Sequence, residues 1–192
     1  MTLCSEKYAE LADESKREMK GRIVFRGDNA RDENGALAIY QDLAASPTLI
    51  TSANANIAYG VFRGHKTTSA DAVKAYIQSI LKSEHPTWVE LPKELWPESW
   101  RGKFQKPVVR LVKSLYGHPE SGAHWQNHLE NILAKEMHAV PVEGHQSSYF
   151  FPQSKLLLTV YVDDFLLSGP EAEHANFWDK LCKHVKLEDI SG

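Results

Sequence analysis

The stretch that most constrains the fold is LLLTVYVDDFLLSG, residues 156–169, where two adjacent carboxylates interrupt a strongly apolar run. The apolar residues on both sides are typical of strands that other elements cover. Burying one carboxylate is costly, and two neighbouring carboxylates repel each other. We therefore predict a β-hairpin whose two-residue turn consists of Asp163 and Asp164, open to water or neutralised by a cation.

The composition is that of a globular chain. Its 192 residues are 42% hydrophobic and 24% charged. Because the net charge is −3, the chain lacks the overall basic charge of many nucleic-acid-binding proteins. A local basic groove is still compatible with this net charge. Cys4 and Cys182 have no zinc-type spacing and fit a reducing compartment. Because the chain has neither a signal-peptide core nor a membrane-spanning apolar run, we expect an intracellular protein, cytoplasmic or nuclear, without a membrane partner.

The hydrophobic periodicity predicts an α+β fold, an antiparallel sheet with helices packed on one face. An amphipathic N-terminal helix is expected, with Ser5 as its N-cap and an apolar stripe of Tyr8, Leu11, Ala12 and Met19. The polar, turn-rich stretch 28–52 is predicted to be a loop. The remaining predicted helices cover 52–64, 118–137 and 171–185, and the strands outside the hairpin cover 21–27, 87–91, 107–112 and 147–151. The helix over 118–137 has an apolar stripe of Trp125, Leu129, Ile132, Leu133 and Met137. In the helix over 171–185, the residues expected to face inward are Phe177, Trp178, Leu181, Cys182 and Val185.

A third carboxylate, Asp71, lies in the segment 67–81, which is predicted to be a strand end that turns into a helix. Taken alone, Asp71 is typical of a helix N-cap, and the Asp163–Asp164 pair is typical of a polar turn. If the fold brings both segments together, three carboxylates converge and require cations. Hard carboxylate oxygens select Mg²⁺ or Mn²⁺, and two such ions are a common arrangement for phosphoryl transfer.

The sequence YVDD between apolar strands resembles the catalytic hairpin of reverse transcriptases, in particular those of copia-type LTR retrotransposons. Three further stretches support the resemblance in the same order. KGRIVFRGD (20–28) is similar to the basic strand of the fingers, and SADAVKAYIQS (69–79) to the first palm motif. VRLVKSLYGHPESGAHW (109–125) resembles the motif with Ser-Leu-Tyr-Gly before a helix. The resemblance covers roughly residues 20–192.

The resemblance implies a two-metal catalytic site. Asp71, Asp163 and Asp164 would be the catalytic, metal-binding carboxylates, and the backbone carbonyl of Ala72 would complete one metal site. The implied cofactor is Mg²⁺, as two ions, with Mn²⁺ as a possible substitute.

The resemblance also implies a nucleotide pocket. Tyr76 would lie under the nucleotide sugar and exclude a 2′-hydroxyl; otherwise it is a core aromatic residue. Lys20 and Arg22 would clamp the triphosphate; otherwise they are solvated strand ends. Glu120 stands at a nucleotide-binding position where the family usually has Gln, so either it points away from the triphosphate or the pocket differs. Gly122 replaces a usual Pro and loosens the start of the helix.

The expected organisation is an N-terminal helix (1–19), partial fingers (20–66) and a palm (67–192), with no thumb, RNase H or integrase. The implied function is an RNA-directed DNA polymerase fragment of a retrotransposon. Its partners would be an RNA or DNA template with primer, a dNTP and the remainder of a Pol polyprotein, and it would work in the cytoplasm, in virus-like particles, or in the nucleus. The alternatives are a catalytically inactive remnant and a weak nucleic-acid-binding module. An RRM-like module is disfavoured, because the aromatic strand lacks the basic-glycine motif of that fold.

Overall fold

The computed structural model describes residues 1–7, 13, 15, 17–38, 40 and 48–192. Its α-helices are α1 (Ile50–Gly60), α2 (Ala75–Gln78), α3 (Ser121–Met137) and α4 (His174–Leu181). Its strands are β1 (Thr2–Lys7), β2 (Glu18–Ile23), β3 (His65–Ala72), β4 (Trp88–Glu90), β5 (Val108–Arg110), β6 (Val140–Pro141), β7 (Ser148–Phe151), β8 (Leu156–Tyr161), β9 (Asp164–Pro170) and β10 (Leu187–Ser191). None of the helices within these ranges has the length and apolar content that a bilayer-spanning segment needs.

The central element is a six-stranded sheet with the strand order β10-β3-β9-β8-β7-β6, in which all neighbours are antiparallel. Two smaller ribbons, β1-β2 and β4-β5, lie outside this sheet. The mixed helix and strand content with antiparallel sheets confirms the general fold class. Because β3 and β9 are neighbours, the segment that contains Asp71 pairs directly with one arm of the acidic hairpin.

The main core lies between one face of this sheet and the helices α3 and α4. The stripe predicted for α3 is confirmed, since Trp125, Leu129 and Leu133 are all buried. In α4 and the turn after it, the predicted inward residues are buried except Cys182, which is exposed. Burial of each large apolar side chain contributes about 1.5–3 kcal/mol. Their main partners on the sheet are Ala70, Tyr149, Phe151, Leu156, Leu158, Val160, Phe165 and Leu167.

Helices pack on both faces of the sheet, so the prediction of a single covered face is wrong. Helix α1 lies on the face opposite to α3 and α4. Its fully buried Asn56 donates hydrogen bonds from Nδ2 to the Thr159 hydroxyl at 3.2 Å and the Leu166 carbonyl at 3.0 Å. Sequence periodicity missed this contact because α1 turns small and polar residues toward the sheet, while Ile57 and Val61 are exposed.

The predicted N-terminal helix is also wrong in the part that the structure describes. Strands β1 and β2 form an antiparallel hairpin in which Ser5 pairs with Lys20, so Ser5 is not an N-cap. Most of the predicted stripe (residues 8, 11 and 12) lies outside the described residues, and Met19 lies in β2. A short helix with a weak apolar stripe is marginally stable alone, whereas strand pairing satisfies the backbone groups of both segments. The domain boundaries at 19/20 and 66/67 stay predictions.

The acidic hairpin forms, but its turn lies one residue earlier than predicted. Tyr161 pairs with Asp164, so the turn consists of Val162 and Asp163, and Asp164 is the first residue of β9. This register opposes Val160 to Phe165, and both are buried on the same face. A shift of the strand register by one residue would move the core-facing side chains of one strand to the opposite face of the sheet. Core packing therefore fixes the position of the turn.

Candidate active site

Three acidic residues lie close together where the central strands end. Asp71 on β3 and Asp164 on β9 are directly opposed in the antiparallel register. Directly opposed residues have Cα atoms about 4.5–5.5 Å apart and side chains on the same face of the sheet. Asp163 lies in the adjoining turn, and its carbonyl accepts a hydrogen bond of 2.7 Å from the Ala72 amide. The structure therefore brings together the acids that the sequence places 92 residues apart (Asp71 to Asp163).

Asp71 belongs to a strand and not to a helix start. Strand β3 continues to Ala72, and α2 begins only at Ala75, after Lys74 in a left-handed conformation with φ of +51°. The interpretation of Asp71 as an N-cap is therefore wrong. The strand persists because residues 65–71 pair with β9 in an unbroken register, which holds the Asp71 backbone in extended geometry.

The neighbouring acids make Asp164 harder to ionise. The pKa of the Asp164 carboxyl is raised above its usual value, first by partial burial and then by the charges of Asp163 and Asp71. A divalent cation would remove this penalty, and carboxylate oxygens are the donors that hard cations prefer. Within the described ranges, however, no three His, Cys, Asp or Glu side chains stand as a ready-made metal cluster. The donor set fits a hard cation in kind, while binding one requires the carboxylates to turn toward each other.

Two further side chains lie in line with Asp71 and Asp164 on the same face of the sheet. Glu188 on β10 is directly opposed to Asp71, and Tyr161 on β8 is directly opposed to Asp164. Tyr161, Asp164, Asp71 and Glu188 thus form one row across four adjacent strands on one face. The position of Glu188 has no local sequence signal, because the pairing of β10 with β3 is a long-range contact.

Two tyrosines lie beside the acids. The rings of Tyr76 and Tyr116 are in edge-on contact, with centroids 4.8 Å apart. Burial raises the pKa of both phenols, and the charge of Asp163 raises each pKa further. The Arg22 guanidinium lies 5.6 Å from the centroid of the Tyr116 ring. The two tyrosine rings, the Arg22 guanidinium and the Asp163 carboxylate therefore lie in one region, to which Tyr116 had not been assigned from the sequence.

The basic segment, residues 20–28, is attached through its backbone to the region around Tyr116. The Phe25 amide donates a hydrogen bond of 2.7 Å to the Tyr116 carbonyl. Gly117 has φ of +83°, and a Cβ atom at this position would collide with the Phe25 carbonyl. Lys20 lies two residues before Arg22 on the same strand, so both side chains leave the same face of β2. The structure brings Arg22 to Tyr116 and leaves the Lys20 side chain exposed.

Comparison with known proteins identifies the family of the chain. Residues 8–192 match the family described as "Reverse transcriptase (RNA-dependent DNA polymerase)". The chain belongs to this reverse transcriptase family.

Similar proteins come from retrotransposons of Saccharomyces cerevisiae. They include "Truncated transposon Ty1-A Gag-Pol polyprotein" and "Transposon Ty1-DR5 Gag-Pol polyprotein", each 28% identical over 148 residues, or 77% of this chain. The chain covers only 11% and 8% of these two proteins, respectively. Together with the family match, these relatives confirm the resemblance to copia-type retrotransposon reverse transcriptases.

Glu120, which replaces the usual Gln of the family, has partners of its own in this reverse transcriptase fold. Its carboxylate accepts a hydrogen bond from the Ser83 hydroxyl and lies 3.8 Å from His124 Nε2. The Glu120 side chain is only 13% exposed. The role of Glu120 in nucleotide binding, and the alternatives that it points away from the triphosphate or that the pocket differs, stay predictions.

Proposed function

We propose that the chain is the palm, with part of the fingers, of an RNA-directed DNA polymerase from a retrotransposon. The primer 3′-hydroxyl would attack the α-phosphate of a dNTP, forming a new P–O bond, breaking the α–β phosphoanhydride bond and releasing pyrophosphate. The observation that carries this proposal is the direct opposition of Asp71 and Asp164, with Asp163 in the adjoining turn. The membership of the chain in a reverse transcriptase family supports the same assignment.

The acids would hold Mg²⁺, as two ions, or Mn²⁺ in its place. Asp71, Asp163 and Asp164 would supply the side-chain ligands, and the Ala72 carbonyl an additional oxygen. The raised pKa of Asp164 supports this role, since a cation between the acids offsets their repulsion. Bound divalent ions would supply activation of the hydroxyl and neutralisation of phosphate charge.

The chain's own side chains would bind and orient the dNTP. Tyr76 and Tyr116 would pack against the sugar, and the Tyr76 ring would exclude a 2′-hydroxyl. Arg22 and Lys20 would contact the triphosphate, where fixed positive charge stabilises the transition state. The contact of Arg22 with Tyr116 supports a common site for sugar and phosphates.

The template, primer and polyprotein are inferred as partners with this function. The yeast relatives are named as Gag-Pol polyproteins, which supports an origin of this chain within such a polyprotein. Synthesis from dNTPs on an RNA or DNA template requires a compartment that holds both, so we place the activity in the cytoplasm, in virus-like particles, or in the nucleus.

Primer extension on an RNA template tests the proposal. With Mg²⁺ or Mn²⁺, we expect the wild-type chain to extend the primer and Asp163→Asn to lose activity by at least about 100-fold, because a ligand and charge are removed at the reacting phosphates. Asp179→Asn is the matched control, since it removes one negative charge from an exposed position on α4 and should extend normally.

Equal extension by the wild type and Asp163→Asn would contradict the polymerase proposal. If no variant extends the primer, a gel-shift assay with template-primer separates the two alternatives. Binding would then support a nucleic-acid-binding module, and failure to bind would support an inactive remnant.

A further inference from the structure

The turn of the acidic hairpin, which consists of Val162 and Asp163, has a strained backbone. Val162, its first residue, has φ of +58°, in the left-handed region. A β-branched side chain rarely adopts this conformation, because its methyl groups clash with the backbone. Such a conformation persists only where surrounding contacts hold it. The contacts of this turn therefore decide the direction in which the adjoining Asp163 and Asp164 point.

The Val162 carbonyl is held from the core side of the sheet. The indole N–H of Trp125 donates a hydrogen bond of 2.6 Å to it. Trp125 lies on α3, and only 2% of its side chain is exposed. The next carbonyl, that of Asp163, accepts from the Ala72 amide on β3. Both peptide groups of the turn are therefore tied to other elements, one of them by a side chain.

We propose that Trp125 is a positioning residue for Asp163 and Asp164. This inference rests on the proposed role of these acids as cation ligands. Without the indole donor, the Val162 carbonyl loses this hydrogen bond, and the peptide between Val162 and Asp163 is free to rotate. Relaxation of Val162 to negative φ would then turn the Asp163 side chain away from Asp71. Packing alone does not require an indole, since a phenyl ring fills most of the same volume.

The test compares two buried tryptophans. Trp125→Phe keeps an aromatic ring and removes the donor to Val162. Trp178→Phe removes an equivalent donor, since Trp178 is 5% exposed in the same core and its Nε1 donates to the Thr68 hydroxyl at 2.9 Å. Both variants lose one buried hydrogen bond and should therefore lose similar thermal stability. Only Trp125→Phe should change the backbone conformation of the turn at Val162 and Asp163.

The readouts are the amide hydrogen exchange of residues 161–164 and the affinity for Mn²⁺ measured by electron paramagnetic resonance. For Trp125→Phe we expect faster exchange and an affinity about 10-fold weaker, the usual effect of losing a group that orients a metal ligand. For Trp178→Phe we expect wild-type values of both. In primer extension, Trp125→Phe should lower kcat and leave the KM for dNTP nearly unchanged.

A second variant separates positioning from packing. Val162→Gly removes the cost of the positive φ, so the turn no longer depends on the indole. In this background, Trp125→Phe should have a clearly smaller effect on exchange and on Mn²⁺ affinity. Equal effects of Trp125→Phe and Trp178→Phe on exchange, or an undiminished effect beside Val162→Gly, would overturn the inference. The exchange data are independent of polymerase activity, so a failure of primer extension is distinguishable from a failure of this inference.

Discussion

At the scale of single residues, Asp164 shows how the sheet changes the chemistry of a side chain. It begins a buried strand, faces Asp71 on the neighbouring strand and follows Asp163 in the chain. Burial and these two charges raise the pKa of its carboxyl. The ionised Asp164 side chain therefore lowers the stability of the fold at neutral pH, a cost that is common at functional sites.

We predict that Asp164→Asn stabilises the protein at neutral pH in the absence of divalent cations. Because the pKa is higher in the folded than in the unfolded state, the folded state binds more protons, and stability falls as pH rises above about 3.8, the usual value. At pH 7 the variant lacks this penalty, and its melting temperature in EDTA should rise by about 1–2 °C, a small effect because solvent screens the repulsion.

Thermal melts of the wild type, Asp164→Asn and the exposed control Asp179→Asn measure this effect. Only Asp164→Asn should melt higher than the wild type. Added Mg²⁺ should stabilise the wild type and not the variant. An unchanged or lower melting temperature of Asp164→Asn in EDTA would show that the acids do not repel each other enough to matter.

At the scale of elements, buried polar groups connect the helices to the sheet. Helix α1 is held by Asn56, and α4 begins with His174, of which only 2% is exposed. His174 Nδ1 lies 2.8 Å from the Thr68 hydroxyl, and its Nε2 lies 3.2 Å from the Gly169 carbonyl. Since the carbonyl accepts only, Nε2 carries the proton and Nδ1 accepts from the hydroxyl. A neutral imidazole therefore satisfies both partners.

We predict that His174 makes the fold sensitive to mild acid. Burial is the main cause that lowers its pKa. The hydrogen bond to the Gly169 carbonyl is the next largest influence and raises the pKa, as Glu171 does, while nearby Lys66 and His65 lower it. The unfolded chain thus binds the proton more readily, so the stability that neutral His174 contributes is present above about pH 6.5 and is lost as pH falls toward the folded pKa. The slope is at most about 1.4 kcal/mol per pH unit.

Urea unfolding at pH 7 and at pH 5 measures this dependence. His174→Gln should lose less stability between these two values than the wild type does, whatever its stability at pH 7. His184→Gln, at an exposed position, is the control and should follow the wild type. Parallel losses in the wild type and His174→Gln would assign the acid sensitivity to other groups.

At the scale of the whole molecule, the segment after β2 makes a tight backbone contact with residues 116–117, which lie between β5 and α3. Phe25 pairs with Tyr116 through a hydrogen bond, and a Cβ atom on Gly27 would approach the Gly117 carbonyl to 2.6 Å. Two glycines therefore allow the chain to come close enough for Arg22 to reach the Tyr116 ring. The proposed nucleotide pocket depends on this contact between parts of the chain distant in sequence.

We predict that Gly117→Ala detaches the basic segment, residues 20–28, from the region around Tyr116. A Cβ atom at this position collides with Phe25, and φ of +83° is unfavourable for alanine. Gly144→Ala is the matched control, because Gly144 has a similar φ of +75° but open space around its Cβ position. Hydrogen exchange at the Phe25 amide should be faster by at least about 10-fold in Gly117→Ala only, since a loss of about 1.4 kcal/mol already gives that factor. Equal exchange in both variants would mean that the contact does not hold the strand.

Much of the fold and of the candidate site was accessible from local patterns. The stripe of α3 and the two arms of the acidic hairpin were predicted because each depends on the period of neighbouring side chains. Asp163 and Asp164 were identified because carboxylates are unusual within an apolar run, and Asp71 was identified as a third carboxylate at a predicted strand end. Tyr116 and Glu188 were missed, because what marks them is their neighbours in space, namely Arg22, Tyr76 and Asp71.

The amino-acid sequence alone determined the mixed helix and strand content, the antiparallel hairpin and the resemblance to reverse transcriptases, since these follow from residue types and their local order. Only the tertiary structure decided that Asp71 faces Asp164, that the turn begins at Val162, that residues 2–7 form a strand and that α1 covers the second face of the sheet. The physical reason is that strand register and helix placement are set by long-range packing. The burial of Val160 and Phe165 in the core fixes the position of the turn, and the hydrogen bonds of Asn56 and Trp125 join segments that are distant in sequence.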